Sequence, residues 1–324
     1  MLFKPNTLFI CVLCRSFYSF PPSAQQKDVS MPSIRFAFLS LYSAVIILSI
    51  NGVFAKAIPF DAVTVTHIRC LIAAIVLLAF TLLQKQSLKL TRTKQYTKVF
   101  FLGCLMALHW SAFFKGMQVA SVAIGILAHY TYPVLTVIFE PLLYGKRPAS
   151  GDLIAGLFVL VGVILMVPDW TFNSNTLSGV MFGLISALAF GSRNILQRRW
   201  LQGEPGGGVM FYQVLVVALV TLPFTLVLNS YQKLAAASVD VWLMIITLGV
   251  VSTALGHALL SNSLRSLSAK TVSLIACLQP PLAILLSWIF IGESPLPITL
   301  LGGALILATA AYESLRTTVD RASY

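Results

Sequence analysis

Residues 109–148 read HWSAFFKGMQVASVAIGILAHYTYPVLTVIFEPLLYGKRP. The first half closes an apolar run on His109, Trp110, Phe113 and Phe114. The second half is another apolar run that carries His129, Tyr130, Tyr132, Pro133, Glu140 and Pro141. A charged side chain at mid-bilayer costs roughly 2.5 to 3.5 kcal/mol on insertion scales, so such groups face a protein-lined cavity rather than lipid. The segment therefore predicts a polar pathway inside a helical membrane bundle. Its spacing recurs in Ser268–Pro295, SAKTVSLIACLQPPLAILLSWIFIGESP. An offset of 147 residues carries Ser121 onto Ser268, Pro133 onto Pro280, Gly145 onto Gly292 and Pro148 onto Pro295, the pattern of an internal duplication.

Composition agrees. At 58% hydrophobic and 10% charged residues, with a mean hydropathy of +0.88, a soluble 324-residue domain could not cover itself with polar surface. The apolar runs are continuous over about twenty residues instead of alternating over about ten, so the spans are helices and not barrel strands. The net charge of +12 sits in short loops and forms no patch that could follow a phosphate backbone, so no nucleic-acid partner is expected. Cys70, Cys104 and Cys277 lie in apolar runs, and the Cys11-x-x-Cys14 pair lacks a second ligand pair, so neither a disulfide framework nor a metal site is expected. No phosphate-binding loop and no His-Glu-x-x-His motif occurs, which argues against ATP-driven transport by this chain alone and leaves no cofactor to expect.

Residues 1–30 read as a disordered or non-native extension, because Leu8–Leu13 is too short to span and a Pro- and Ser-containing tail follows it; Met31 is a second candidate start. Ten candidate spans follow, near 36–54, 62–83, 98–116, 121–143, 153–168, 177–197, 208–229, 239–262, 268–291 and 297–315. With the N-terminus inside, eighteen Lys and Arg fall on the inner side and three (Lys56, Lys115, Lys233) on the outer, while Arg69 alone lies well within a span. This predicts a multi-pass inner-membrane protein with both termini cytoplasmic. Five spans per half, at 34–168 and 177–315, give the second half the opposite orientation to the first. The expected fold is thus all-α, ten transmembrane helices in two inverted five-helix repeats, an architecture that many alternating-access carriers share. Ser43-Ala44 and Asn51 in span 1 match Ser186-Ala187 and Asn194 in span 6 at an offset of 143. Spans 5 and 10, nearly free of ionisable groups, are expected at the periphery, against lipid or the second subunit of a homodimer.

Two five-helix halves, the Trp110–Phe114 block and a Gly-x-x-Pro turn after spans 4 and 9 (Gly145-Lys-Arg-Pro148, Gly292-Glu-Ser-Pro295) resemble the EamA-type transporters of the drug/metabolite transporter superfamily. The resemblance covers about Ile34 to Leu315. It departs at Lys146, where an acid is common. It implies a ten-helix carrier of small metabolites, often an exporter, in a bacterial inner membrane; it implies no particular substrate.

The candidate substrate-binding residues follow from polarity within spans. His129, Tyr132, Thr136 and Glu140 share one face of a continuous span 4, with His129 able to carry a coupling proton near its ordinary pKa of about 6.5 or to serve as an interhelical hydrogen bond. Glu140 could equally pair with Lys146 or Arg147 at the interface. His109 and Phe113 lie one turn apart beside Trp110, suited to stacking and cation–π contact, although for Trp110 an interfacial belt is the nearer expectation. Arg69 is the main candidate for a substrate carboxylate or an internal acid. Asn51 is span 1's counterpart of Asn194. Arg193 and Asn194 give span 6 a polar stretch, Arg193 either as a second deep cation or as an anchor near the cytoplasmic end. His257 does the same for span 8, and Gln279 precedes Pro280-Pro281, where missing N–H groups open the helix. The expected function is export of a small amphipathic, amino-acid-like metabolite by a secondary carrier. Alternatives are a carrier of phosphorylated or other anionic metabolites, a membrane enzyme using the histidines, or a channel.

Overall fold

The computed structural model describes residues 34–83, 88–143, 145, 147–166, 174–201, 203–267 and 269–322. The expected 1–30 extension lies outside the described residues, as do Met31, Cys11, Cys14, Lys146 and Ser268. The regular secondary structure of the described residues is helical, with no strand. Six helices among them are long and apolar enough to cross a membrane, and four shorter apolar helices belong to spans 4, 5, 9 and 10.

Spans 2, 3, 6 and 7 are unbroken helices, Ala62–Leu83, Thr93–Val119, Asn175–Leu201 and Gly206–Val227. Spans 5 and 10 are Ser150–Met166 and Pro297–Ala322. The other four are irregular. Span 1 is split into Ile34–Leu48 and Asn51–Ala57, span 4 into Val122–His129 and Tyr132–Leu143, and span 9 into Ala269–Ala276 and Gln279–Ile291. Span 8 runs Val239–Thr247, widens into a π-helical segment Leu248–Gly256, and returns to α-helix over His257–Ser266. The short helix Ser230–Ala235 links spans 7 and 8.

The expectation of continuous spans 1 and 4 is therefore corrected. Each break has a local cause. Ser49 turns its hydroxyl back to the Val45 carbonyl (2.8 Å) ahead of the Asn51-Gly52 restart, and Thr131 does the same to Ala128 (2.9 Å) ahead of Tyr132-Pro133. Pro133 in span 4 and Pro280 in span 9 sit where a helix starts, a position in which the missing N–H has no partner to lose; Pro141 lies inside its helix. Both Gly-x-x-Pro turns place their glycine in the left-handed region, at φ +69° for Gly145 and +75° for Gly292.

The halves pack as a swapped pair. Span 3 lies along span 6 as span 8 lies along span 1; span 3 meets span 7 as span 8 meets span 2; span 2 meets span 7 and span 5 meets span 10. Exchanging the halves returns the same set. Glycine permits the closest of these approaches: a Cβ on Gly103 would sit 2.5 Å from Val216 Cβ, and one on Gly249 would sit 2.8 Å from Ile72 Cγ2. Gly103 and Gly249 are 146 residues apart, whereas Trp110 and His257 are 147 apart. The π segment absorbs the extra residue, as such bulges do. Spans 5 and 10 turn Leu153, Leu157, Phe158, Leu160, Leu300 and Leu301 outward, an apolar surface suited to lipid.

Candidate substrate site

The three broken spans meet at one residue. Gln279, at the restart of span 9, donates through Nε2 to the Leu48 carbonyl freed by the span 1 break (3.3 Å) and accepts at Oε1 from the Tyr130 hydroxyl at the span 4 break (2.9 Å). Carbonyls without helical partners must be satisfied inside a membrane protein, and here a side chain from the opposite half does it. In span 8 the Ser252 hydroxyl donates to Asn51 Oδ1 (2.5 Å).

Around this knot lies a cavity of about 30 Å³, counted as space open to the centre of a water molecule. Span 1 contributes Val45, Leu48 and Asn51; span 3 His109, Trp110 and Phe113; span 4 His129, Tyr130 and Tyr132; span 6 Phe190; span 8 His257 and Leu260; span 9 Ala276 and Gln279. That volume suits ordered water, so admitting a metabolite requires the walls to part.

One wall is a hydrogen-bonded histidine pair. The Ser186 hydroxyl lies 2.8 Å from His109 Nδ1 and 2.9 Å from His129 Nδ1, and the two rings are 4.9 Å apart between centroids. A hydroxyl carries one proton, so it donates to one ring and accepts from the other; two neutral rings must then hold opposite tautomers. Phe113, Tyr132 and Phe190 pack on His129 at centroid distances of 4.9 to 5.3 Å.

The Trp110–His257 side of the cavity is unsatisfied. His257 stands edge-on to Trp110 at 4.8 Å, and both its ring nitrogens are buried without a hydrogen-bond partner. The Trp110 Nε1 also lacks one. Arg69, 0% exposed, lies 4.4 Å from the ring centroids of both Trp110 and Phe114, and its Nε and both Nη atoms have no acceptor. Two cation–π contacts supply about 0.5 to 2 kcal/mol each. Burial of a guanidinium costs several kcal/mol, so the empty protein keeps this charge at a loss.

Of the twelve residues singled out in the sequence, eight line the cavity: Asn51, His109, Trp110, Phe113, His129, Tyr132, His257 and Gln279. Arg69 stands behind Trp110 without lining it. Trp110 is 1% exposed, so the interfacial-belt reading of it is corrected; Arg69 and His257 hold it in the interior. His129 and Tyr132 do not share one helical face, because the chain breaks between them, yet their rings stack across the break at 5.1 Å. Glu140 lies outside the cavity with Oε2 buried and unbonded; among the described residues it pairs with no cation. Arg193 is fully buried, contrary to the anchoring alternative, because span 6 continues to Leu201 and sets it two turns deep. It donates to Gln213 Oε1 (2.9 Å), Asn194 Oδ1 (2.9 Å) and Ser261 Oγ (3.2 Å), and Gln213 donates on to Gln197 (2.9 Å).

Ser186, Tyr130 and Phe190 were not among the twelve. Ser186 was visible only as a repeat marker. The signal that finds it is the spacing Gly183, Ser186, Phe190, Arg193, one face of span 6, with Gly183 so close that a Cβ there would meet Ala128 Cβ at 2.5 Å.

The two ends of the bundle are closed differently. At one, Lys56 Nζ donates to the Ala120 (2.9 Å) and Gln118 (3.4 Å) carbonyls ending span 3, and pairs with Glu293 at 3.5 Å. Glu293 Oε2 also accepts from the Val122 N–H (2.8 Å) at the start of span 4 and from Ser287 Oγ (3.2 Å). At the other end Arg198 takes the place of Lys56, donating to the Leu264 (3.2 Å) and Leu267 carbonyls that end span 8. The sequence puts Lys146 where Glu293's counterpart would stand, so the carboxylate belongs to one end only.

Comparison with known proteins agrees with this architecture. The pattern of the EamA-like transporter family matches residues 35–167 and again 177–312. The uncharacterized transporter YxxF of Bacillus subtilis is 24% identical over 297 residues, covering 90% of this chain and 94% of its own length. The pseudopaline exporter CntI of Pseudomonas aeruginosa is 27% identical over 182 residues, covering 56% of this chain and 62% of its own length. One solved crystal structure superposes with a TM-score of 0.62 at 18% identity, covering 88% of this chain and 98% of that one, a likeness of fold.

Proposed function

This chain belongs to the EamA-like transporter family, and from that premise we propose that it exports a small carboxylate-bearing metabolite, of amino-acid size, across a bacterial inner membrane by alternating access. The observation that carries the reading is the unpartnered Arg69 beside the unpartnered Trp110 and His257 at the cavity wall. A buried cation without a counter-ion is a binding energy held in reserve: a carboxylate brings the charge and acceptors that the protein withholds. Indole and phenyl rings accommodate the apolar remainder of such a molecule. Export is the direction named for one relative, the pseudopaline exporter.

The eighteen-to-three charge asymmetry supports an orientation with both termini in the cytoplasm and the Lys56–Glu293 end outside. Spans 1, 4 and 9, each broken beside the cavity, supply the hinges for opening one end while the other stays closed. The His109–Ser186–His129 bridge gives a coupling proton two exchangeable positions within the wall. The outward faces of spans 5 and 10 meet lipid or a second copy of the chain.

The test is a comparison of metabolites in the medium of cells with and without overexpressed protein, repeated with His129→Ala. A carboxylate-bearing species of amino-acid size is expected to rise outside several-fold and to return to baseline in the variant, which loses a buried hydrogen bond in the site. Unchanged media, or a rise confined to uncharged compounds, rules the reading out.

A further inference from the structure

The geometry points to a second anion subsite at Arg193, so that the transported molecule carries two separated acidic groups. This rests on the central cavity being the transport site. Arg69 and Arg193 are both 0% exposed, and no described carboxylate bonds either. Arg193 spends its donors on three neutral oxygens, those of Gln213, Asn194 and Ser261, which satisfy its geometry and leave its charge uncompensated.

The two guanidiniums are linked through span 8. Arg69 stacks on Trp110, and Trp110 touches His257; Ser261, Arg193's partner, lies four residues further, about 6 Å along the axis. Arg193 is thus one helical turn from the cavity wall, between Phe190, which lines the central cavity, and Gln197, which with Ser261 lines a second cavity of about 10 Å³ bounded also by Arg198, Glu204 and Arg265. The Arg193 network is the partition between the two. A molecule crossing it passes Arg193 and then reaches Trp110, behind which Arg69 stands.

Charge then selects the cargo. A zwitterion brings an ammonium into a region holding two unpaired cations. A monocarboxylate leaves one cation bare. Two separated carboxylates neutralise both, whereas a single phosphate holds its charged oxygens around one phosphorus and serves one site.

The experiment uses the full-length protein in lipid nanodiscs. Thermal unfolding is followed against succinate and glutarate, against their monoamides succinamate and glutaramate, and against inorganic phosphate, to obtain apparent Kd values. At least one diacid is expected to bind roughly tenfold or more tightly than its monoamide, the effect of one charge-assisted hydrogen-bonded contact. The ratio should fall to within about twofold in Arg193→Gln and return in Arg193→Lys, which keeps the charge. Phosphate should bind no better than a monoamide. If the wild-type protein binds diacid and monoamide equally, while Arg69→Gln weakens both, the second subsite is wrong and the one-carboxylate reading stands. If phosphate binds best, the two-group geometry is wrong. If none of the five probes shifts unfolding, both readings fall.

Discussion

Arg69→Gln is expected to lower transport by about a hundredfold or more without destabilising the empty protein, whose unfolding temperature should stay level or rise. The two effects share one cause. In the empty carrier the guanidinium has two aromatic faces and no acceptor, so its removal relieves desolvation; in the loaded carrier it is the group that holds the carboxylate. A residue kept for packing alone would behave in the opposite way, losing stability first and transport second. Arg69→Lys separates charge from shape, because an ammonium keeps the sign and gives up the planar fork and the stacking between Trp110 and Phe114; it should fall between the wild type and Arg69→Gln. Export and thermal unfolding measured on the same three proteins decide the matter, and undiminished export by Arg69→Gln would reduce this arginine to a structural residue.

The second large effect is expected at Glu293→Gln. The ion pair with Lys56 is partly exposed, at 23% for each side chain, so by itself it contributes no more than about 1 kcal/mol. Glu293 also caps the first turn of span 4 through the Val122 N–H, and a charged acceptor at a helix start adds about 0.5 to 2 kcal/mol. Together these shift the closed-to-open ratio of that mouth by roughly ten- to hundredfold. A cysteine placed at Ala55, in a background freed of the native cysteines, should react faster with a membrane-impermeant thiol reagent added from outside once Glu293 is neutral. An unchanged rate would mean that the contact does not hold the mouth shut. The variant is informative because its mirror position already lacks a carboxylate: Lys146 occupies it.

The broad architecture was legible because its signals are additive over long stretches. Ten apolar runs, their charge asymmetry and the offset shared by Pro133 and Pro280 each survive an error of a few residues. The breaks in spans 1 and 4 were not legible, because Ser49-Ile50 reads as ordinary span sequence and the polar Tyr130-Thr131 pair marks a cavity without marking a helix end; what interrupts the helix is a side chain folding back on a carbonyl and a partner, Gln279, more than a hundred residues away. For the same reason His129 was placed on a helical stripe with Tyr132 and Thr136 that the chain does not form. Polarity within a span found eight of the cavity residues, since histidines, amides and an indole in hydrocarbon have few other places to go. It missed Ser186, a small hydroxyl that membrane helices carry at little cost and whose role exists only between two rings from spans 3 and 4. Arg193 lies deeper than a span ending near residue 197 implies, because the helix runs four residues further, to Leu201.

The bare guanidinium of Arg69 also brings the membrane voltage into the cycle. An elementary charge moved through the whole field is worth about 2.3 kcal/mol per 100 mV, and a part of the field contributes in proportion. The unloaded carrier presents positive charge in its interior, so a potential negative on the cytoplasmic side draws that interior toward inward access. The loaded carrier has cancelled the charge and turns without electrical work. Voltage thus speeds the return of the empty protein, the half-cycle in which no cargo lends its binding energy. Efflux from vesicles clamped at zero and at about −100 mV should therefore differ, and equal rates would show that the field does not act on Arg69.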